Sequence, residues 1–253
     1  METKEVVFND IPFILRNNRW KEDMNVLGEV FSENNYPIEQ FIENAPKVVF
    51  DIGGHVGSFS KRCHSLFPEC HTYTVEPDEE NHKLCKLNLE NENNTLVRGV
   101  LNYYPDKVYF YKSVKEATGG GFLTNELIPT KDSVNQAEEQ TYELHNDFDV
   151  KHYTLGTLMA KYNVNKIDLL KLDCEGGENG LLKEDCPDLN ILPEINAIMG
   201  EWHGFEDYSP DIQSHSLLVN RLRDVLAPTH HCWMHDPIKH DGLGIFGFVK
   251  KNK

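Results

Sequence analysis

Apolar and polar positions along the chain follow two periods, and their order predicts the elements. Residues 6–15 carry Val6, Val7, Phe8, Ile11, Phe13, Ile14 and Leu15, a run suited to one or two short strands. Met24, Leu27, Val30 and Phe31 then recur at helical spacing, and Pro37 stops that helix. From Lys47 the rhythm is regular. A short apolar strand at 48–50 breaks at Gly53 and Gly54, and Phe59, Cys63, Leu66 and Phe67 follow at helical spacing up to Pro68. Residues 72–75 read as a second strand. It leads into Pro77, Asp78, Glu79 and Glu80, acids that favour the positive end of a helix dipole. A third strand is expected at 96–100 and a fourth, exposed one at 108–111. A helix at 155–162, strands at 167–172 and 195–199, a helix at 216–226 and strands at 229–234 and 245–249 complete the chain. Strands alternating with helices predict an α/β sheet covered on both faces.

Residues 113–150 break the rhythm and are expected to form a long loop. Gly119, Gly120 and Gly121 beside Phe122 suit a hinged lid, and Trp20, Tyr103 and Tyr104 could add stacking surface; the alternative is a disordered loop. The expected organisation is an N-terminal segment, 1–46, packed near the acceptor cleft of a single domain, 47–253, with an insertion at 113–150.

The chain has 253 residues, enough to bury a sizeable core without a disulfide or metal staple. Its charge is −16, from 25 basic and 41 acidic residues, which disfavours nucleic acid and anionic lipid as bulk partners. The six cysteines form no CxxC pair, and no signal peptide or long apolar segment is evident. A soluble cytoplasmic protein with reduced thiols is expected.

Two stretches carry chemistry. In the first, a strand meets a glycine turn, Asp51-Ile52-Gly53-Gly54-His55-Val56-Gly57, and Glu76 ends the next strand, about 20 residues on from the turn. Glycines there let a ligand approach the backbone, and an acid at that second strand end can accept from two ribose hydroxyls. The spacing is not the GxGxxG of a dinucleotide loop, and Asp51 would oppose a pyrophosphate. S-adenosylmethionine, with its sulfonium, amino group and ribose but no phosphate, matches better. A turn whose glycines serve only tight packing is the bland alternative.

In the second stretch, 167–178, Lys171, Asp173 and Glu175 alternate and would share one side of a continuing strand. A lysine within an apolar strand requires a partner. The group reads equally as an acceptor-binding cluster or as an ion pair closing the turn. His203, after the strand at 195–199, can accept a proton near neutral pH. The histidines between 230 and 240 alternate as a strand would, so no metal site is expected.

Taken together, the Asp51–Gly57 turn, Val75-Glu76-Pro77 and the 167–178 stretch resemble the FkbM family of S-adenosylmethionine-dependent methyltransferases, whose signature is close to DIGANxG…VEP…IDLLKIDVEGAE. His55 stands where that family usually has Asn, and Gly54 and Gly177 where it usually has Ala. The resemblance implies a class I methyltransferase, Rossmann-like, with a seven-stranded sheet in the order 3-2-1-4-5-7-6. It implies O-methylation of a hydroxyl on a sugar, glycan or secondary metabolite, with N-methylation of a peptide or amide and a non-catalytic binding protein as rivals. Asp51 and the turn glycines Gly53, Gly54 and Gly57 are expected to hold the methionine part, Glu76 the ribose hydroxyls, and Val100 and Leu101 to flank the adenine, with His55 and Asp173 also counted among the cofactor-binding residues. Lys171, Asp173, Glu175 and His203 are expected to orient and deprotonate the acceptor.

Overall fold

The computed structural model describes residues 1–32, 34–41, 44–103, 109–113, 121–124, 142–145, 150–174, 177–182, 185–203, 213–235 and 243–251. The chain opens with a hairpin, β1 (Thr3–Phe8) and β2 (Ile11–Arg16), then helix α1 (Trp20–Val30) and the turn-long α2 (Ile38–Phe41). The core follows as β3 (Val48–Ile52), α3 (Ser58–Leu66), β4 (His71–Val75), α4 (Glu79–Asn88) and β5 (Asn94–Val97). Next come β6 (Gly99–Leu101), β7 (Tyr109–Ser113), β8 (Gly121–Thr124), β9 (Tyr142–His145) and β10 (Lys151–Tyr153). The chain finishes with α5 (Leu155–Tyr162), β11 (Leu169–Leu172), β12 (Ala197–His203), α6 (Gln213–Leu226), β13 (His230–His235) and β14 (Leu243–Lys250).

Seven strands form the central sheet in the order β13-β14-β12-β11-β3-β4-β5. Strands β12, β11, β3, β4 and β5 run parallel, and β14 is antiparallel to both β12 and β13. Numbered by its own seven strands, this is the 3-2-1-4-5-7-6 order. Side-chain alternation sorts the two faces. Phe50, Ile52, Leu170, Leu172 and Ile198 join one core with Leu155, Leu218 and Leu222. Val49, Leu169, Ala197 and Met199 join another with Phe59, Cys63, Tyr36 and Val30. Both faces are therefore covered, as a parallel sheet requires.

Two expectations need correction. The run at 96–100 is not one strand: β5 ends at Val97, and Gly99–Leu101 pairs with Lys151–Tyr153 instead. Gly99 permits this crossing, because a Cβ there would press on the Tyr153 ring. Nor is the insertion loop throughout, since β7 pairs antiparallel with both β8 and β9 in a three-stranded sheet. The expected strand at 108–111 is β7, whereas β8 and β9 are short, β-prone pieces (Phe122-Leu123, Tyr142) separated by long polar stretches that hide their period. Gly119, Gly120 and Tyr104 lie outside the described residues.

The N-terminal segment is welded to the sheet domain by polar side chains. Asn88 of α4 accepts from Ile14 N (2.6 Å) and donates to Ile14 O (3.0 Å) and Val56 O (2.8 Å). Arg62 of α3 donates to Val30 O (2.6 Å), Tyr36 O (2.7 Å) and Glu39 (2.8 Å). Buried backbone acceptors that lack a helical or strand partner are satisfied this way.

Candidate active site

Asp51 and Lys171 sit opposite each other in the register of β3 and β11, so alternation places both on the sheet face that packs against α3. Asp51 is 0% exposed and Lys171 2%. A buried ammonium must be paired, and here it makes three contacts. Lys171 Nζ donates to Gly53 O (2.6 Å) and lies 3.4 Å from Asp51 Oδ1 and 3.3 Å from Asp173 Oδ2. Burial alone would favour neutral lysine, but the Asp173 and Asp51 carboxylates outweigh it and hold the ammonium above its ordinary pKa. For Asp51 burial wins over Lys171 and Ser60, and its pKa is raised. Asp51 Oδ2 accepts from Ser60 N (3.2 Å) and Ser60 Oγ (2.7 Å), which ties β3 to the first turn of α3.

The glycine turn between them is conformationally specific. Gly53 has φ +86°, and a Cβ there would overlap the carbonyl oxygen of Asp173. Gly57, at φ 85°, is the left-handed residue from which α3 starts. His55 also lies in the left-handed region, at φ 48°, where Asn and His are better tolerated than branched residues. Gly53 N and Gly54 N both donate to Val75 O at 3.0 Å, so the turn leans toward the end of β4.

Glu76 follows β4, 5% exposed. Its Oε2 accepts from His55 N (2.8 Å), and its Oε1 from Asp78 N (2.9 Å) and Asn81 Nδ2 (3.4 Å). Burial, with Asp78 adding repulsion, raises its pKa to about 8 despite those donors. Asp78 itself caps α4, accepting from Glu80 N and Asn81 N.

Asp173 is the more open acid, its side chain 24% exposed. It follows β11, and its Oδ2 accepts from the Tyr36 hydroxyl at 3.0 Å. Tyr36 is 1% exposed, and burial together with Asp173 and Glu201 raises its pKa well above the ordinary phenol value. Nothing in the sequence marks Tyr36, and it was not among the expected site residues. The Arg16–Asp23 ion pair was missed as well, although Asp23 lies on the buried side of α1 with Leu27 and Val30, an irregularity a helical pattern can reveal.

The structure therefore gathers Asp51, Gly53, His55, Lys171 and Asp173 around one turn, with Glu76 beside it. Val100 and Leu101 are buried on β6, and Leu101 belongs to the main core. His203 ends β12, but its side chain lies outside the described residues, as does all of Glu175. Both nitrogens of His230 are engaged, with Thr229 Oγ1 (2.8 Å) and Ile195 O (2.7 Å). Residues 236–240 lie outside the described residues, and among those described no group of three or more His, Cys, Asp or Glu could hold a metal. Again among the described residues, no helix is long and apolar enough to cross a membrane.

No curated protein matches the sequence. Among solved structures, similarity extends to one described as an rRNA methylase from Clostridium thermocellum, 8% identical over 86% of this chain and 93% of that one, with a TM-score of 0.49. Another is a protein described as SAM-dependent methyltransferase from Streptococcus mutans, 10% identical over 98% of this chain and 56% of the other, TM-score 0.48. TYW2 of M. jannaschii in complex with AdoMet is 12% identical over 98% and 85%, TM-score 0.38. Likeness this distant says nothing of the acceptor. The Methyltransferase FkbM domain, however, matches residues 51–227, from the Asp51 turn through α6. The chain belongs to the FkbM methyltransferase family.

Proposed function

We propose that this methyltransferase transfers a methyl group from S-adenosylmethionine to a hydroxyl of a sugar, glycan or secondary metabolite. The observation that carries the reading is the juxtaposition of Asp51, Lys171 and Asp173 at the carboxyl ends of two neighbouring parallel strands, with Glu76 at the end of the next. Ligands of open α/β sheets bind at such strand ends. The residues present suit this cofactor: the acids around the turn favour a sulfonium and an amino group over a pyrophosphate.

S-adenosylmethionine supplies, when bound, an electrophilic methyl group on a positive sulfur. The protein has to hold that methyl in line with the acceptor oxygen, and most of the rate comes from this alignment. Glu76 accepts from the ribose hydroxyls, Val100 and Leu101 flank the adenine, and the Gly53–Gly57 turn carries the methionine part. Asp51 acts from beneath, fixing the turn through Lys171 and the start of α3 through Ser60. Asp173 orients the acceptor hydroxyl and takes its proton as the methyl is transferred, and Glu175 and His203 are assigned supporting roles toward the acceptor. Residues 1–46 form a wall of that cleft, a reading supported by the reach of Tyr36 to Asp173. All six cysteines are free thiols, which fits a reducing cytoplasm.

Calorimetric titration with S-adenosylmethionine, followed by a radiolabelled methyl-transfer screen over glycosides, hydroxylated metabolites, peptides and amides, tests this. Label appearing on a hydroxyl is expected. The absence of binding heat at high cofactor concentration, or label on nitrogen alone, overturns it.

A further inference from the structure

The N-terminal segment reaches the glycine turn through a buried chain of three side chains. Arg16, at the end of β2, is 1% exposed and Asp23, on α1, is 0% exposed. Arg16 Nε lies 3.1 Å from Asp23 Oδ1, and its Nη2 contacts the same carboxylate. That Nη2 also lies 3.1 Å from Nε2 of His55. A guanidinium nitrogen can only donate, so Nε2 must accept. A neutral imidazole that accepts at Nε2 carries its proton on Nδ1. Arg16 thus selects the tautomer of His55.

The Nδ1–H so created is buried, and among the described residues it has no hydrogen-bond acceptor. Leaving such a donor unsatisfied costs free energy, and a group of this kind in a native fold calls for an explanation. Its surroundings give one. His55 is part of the turn proposed to carry the methionine end of the cofactor, and its backbone N–H is already committed to Glu76. Charged groups near the ring include Arg16 of β2, Asp23 of α1, Lys171 of β11 and Asp173 beyond it, with Glu76 after β4 at the backbone N–H. Cys85 of α4 donates to the His55 carbonyl at 2.8 Å. Burial and the nearby Arg16 lower the imidazole pKa to about 4, so the ring stays neutral through the physiological range.

A cofactor with an amino group and a sulfonium finds acids enough here. Its α-carboxylate needs a donor, and Lys171 is already engaged with Gly53, Asp51 and Asp173. We infer that His55 Nδ1–H binds the α-carboxylate of the methionine moiety, with Arg16 as the positioning residue that fixes the tautomer and contributes positive charge. The inference rests on the cofactor reading above. It also makes the N-terminal hairpin, which precedes the matched family segment, part of the cofactor site.

Two measurements test it. Calorimetry compares S-adenosylmethionine with decarboxylated S-adenosylmethionine, which lacks only the carboxylate. The wild type should prefer the former by about tenfold, the worth of one charge-assisted hydrogen bond. His55→Phe should lose most of that preference, His55→Asn should keep much of it through its amide N–H, and Glu76→Gln should weaken both ligands alike. Histidine 15N NMR, with the His55 signals identified by their loss in His55→Asn, should show Nδ1 protonated and Nε2 bare. In Arg16→Met that tautomer preference should relax. Equal affinity of the wild type for the two ligands, or a protonated Nε2, overturns the inference while leaving the cofactor reading intact. Binding of neither ligand overturns both.

Discussion

The hydroxyl of Tyr36 donates to Oδ2 of Asp173 across 3.0 Å, joining residues 137 positions apart. Lys171 approaches the same oxygen at 3.3 Å. The carboxylate is therefore held from the N-terminal side by a neutral donor and from the sheet by a cation. Hydrogen bonds of this kind fix direction as well as charge, and direction matters most when catalysis is alignment.

Removing the phenolic donor should loosen Asp173 without touching the cofactor. In Tyr36→Phe, methyl transfer to the acceptor found by the label screen should fall about tenfold, from the loss of one hydrogen bond to a charged group. Cofactor affinity by calorimetry should stay within about twofold of wild type. Asp173→Ala should lower activity further and leave that affinity nearly intact. A fall in cofactor affinity that matches the fall in rate would place Asp173 with the cofactor instead.

Lys171 neutralises two acids, one of them enclosed, so truncating it should be felt as stability. Lys171→Met leaves Asp51 buried beside apolar side chains, a change that typically costs about 3–5 kcal/mol. Urea denaturation should show that loss. Adding Asp51→Asn should recover part of it, because the uncompensated charge is then gone.

Gly53 tolerates no side chain. Its φ of +86° and the Asp173 carbonyl at the site of a would-be Cβ predict that Gly53→Ala destabilises the fold by more than about 1 kcal/mol. Cofactor binding should be weakened beyond detection, since the turn and the strand end it abuts must separate. Retained affinity in a folded Gly53→Ala protein would show that the turn is not the binding element.

Glu76 gives a pH signature. Its folded-state pKa of about 8 lies above its ordinary 4.5, so the folded protein keeps a proton that the unfolded chain releases. Stability from this group is greatest below pH 4.5, declines as pH rises toward 8 and then levels off. Cofactor affinity runs the other way, because the ionised carboxylate accepts best from ribose hydroxyls. It should rise by up to about tenfold per unit as pH approaches 8, and Glu76→Gln should flatten both trends. Thermal melts and calorimetry across pH 5 to 9 measure them (the pH span being about that of the expected titration).

Much of this was legible in order along the chain. The strand at 48–50, the helix over 155–162 and the final strands follow from local period, because a residue's neighbours in sequence decide whether its side chains can face one core. The Asp51–Gly57 turn and Glu76 were legible for a similar reason: a strand, a glycine turn and an acid at the next strand end is a local arrangement with a fixed spacing. Where the period failed, at 96–100 and within 113–150, short strands exchange partners or stand apart between polar stretches, and pairing of that kind is a long-range property.

What the sequence determined by itself, then, is the α/β framework and which residue types close its first turn. The tertiary structure decided who meets whom. The parallel register sets Asp51 against Lys171 across 120 residues of chain, and burial on one sheet face turns two charges into an obligatory pair. The same packing brings Tyr36 to Asp173 and Arg16 to His55 from a segment with no motif of its own. Such contacts depend on distances through space, which residue spacing does not encode.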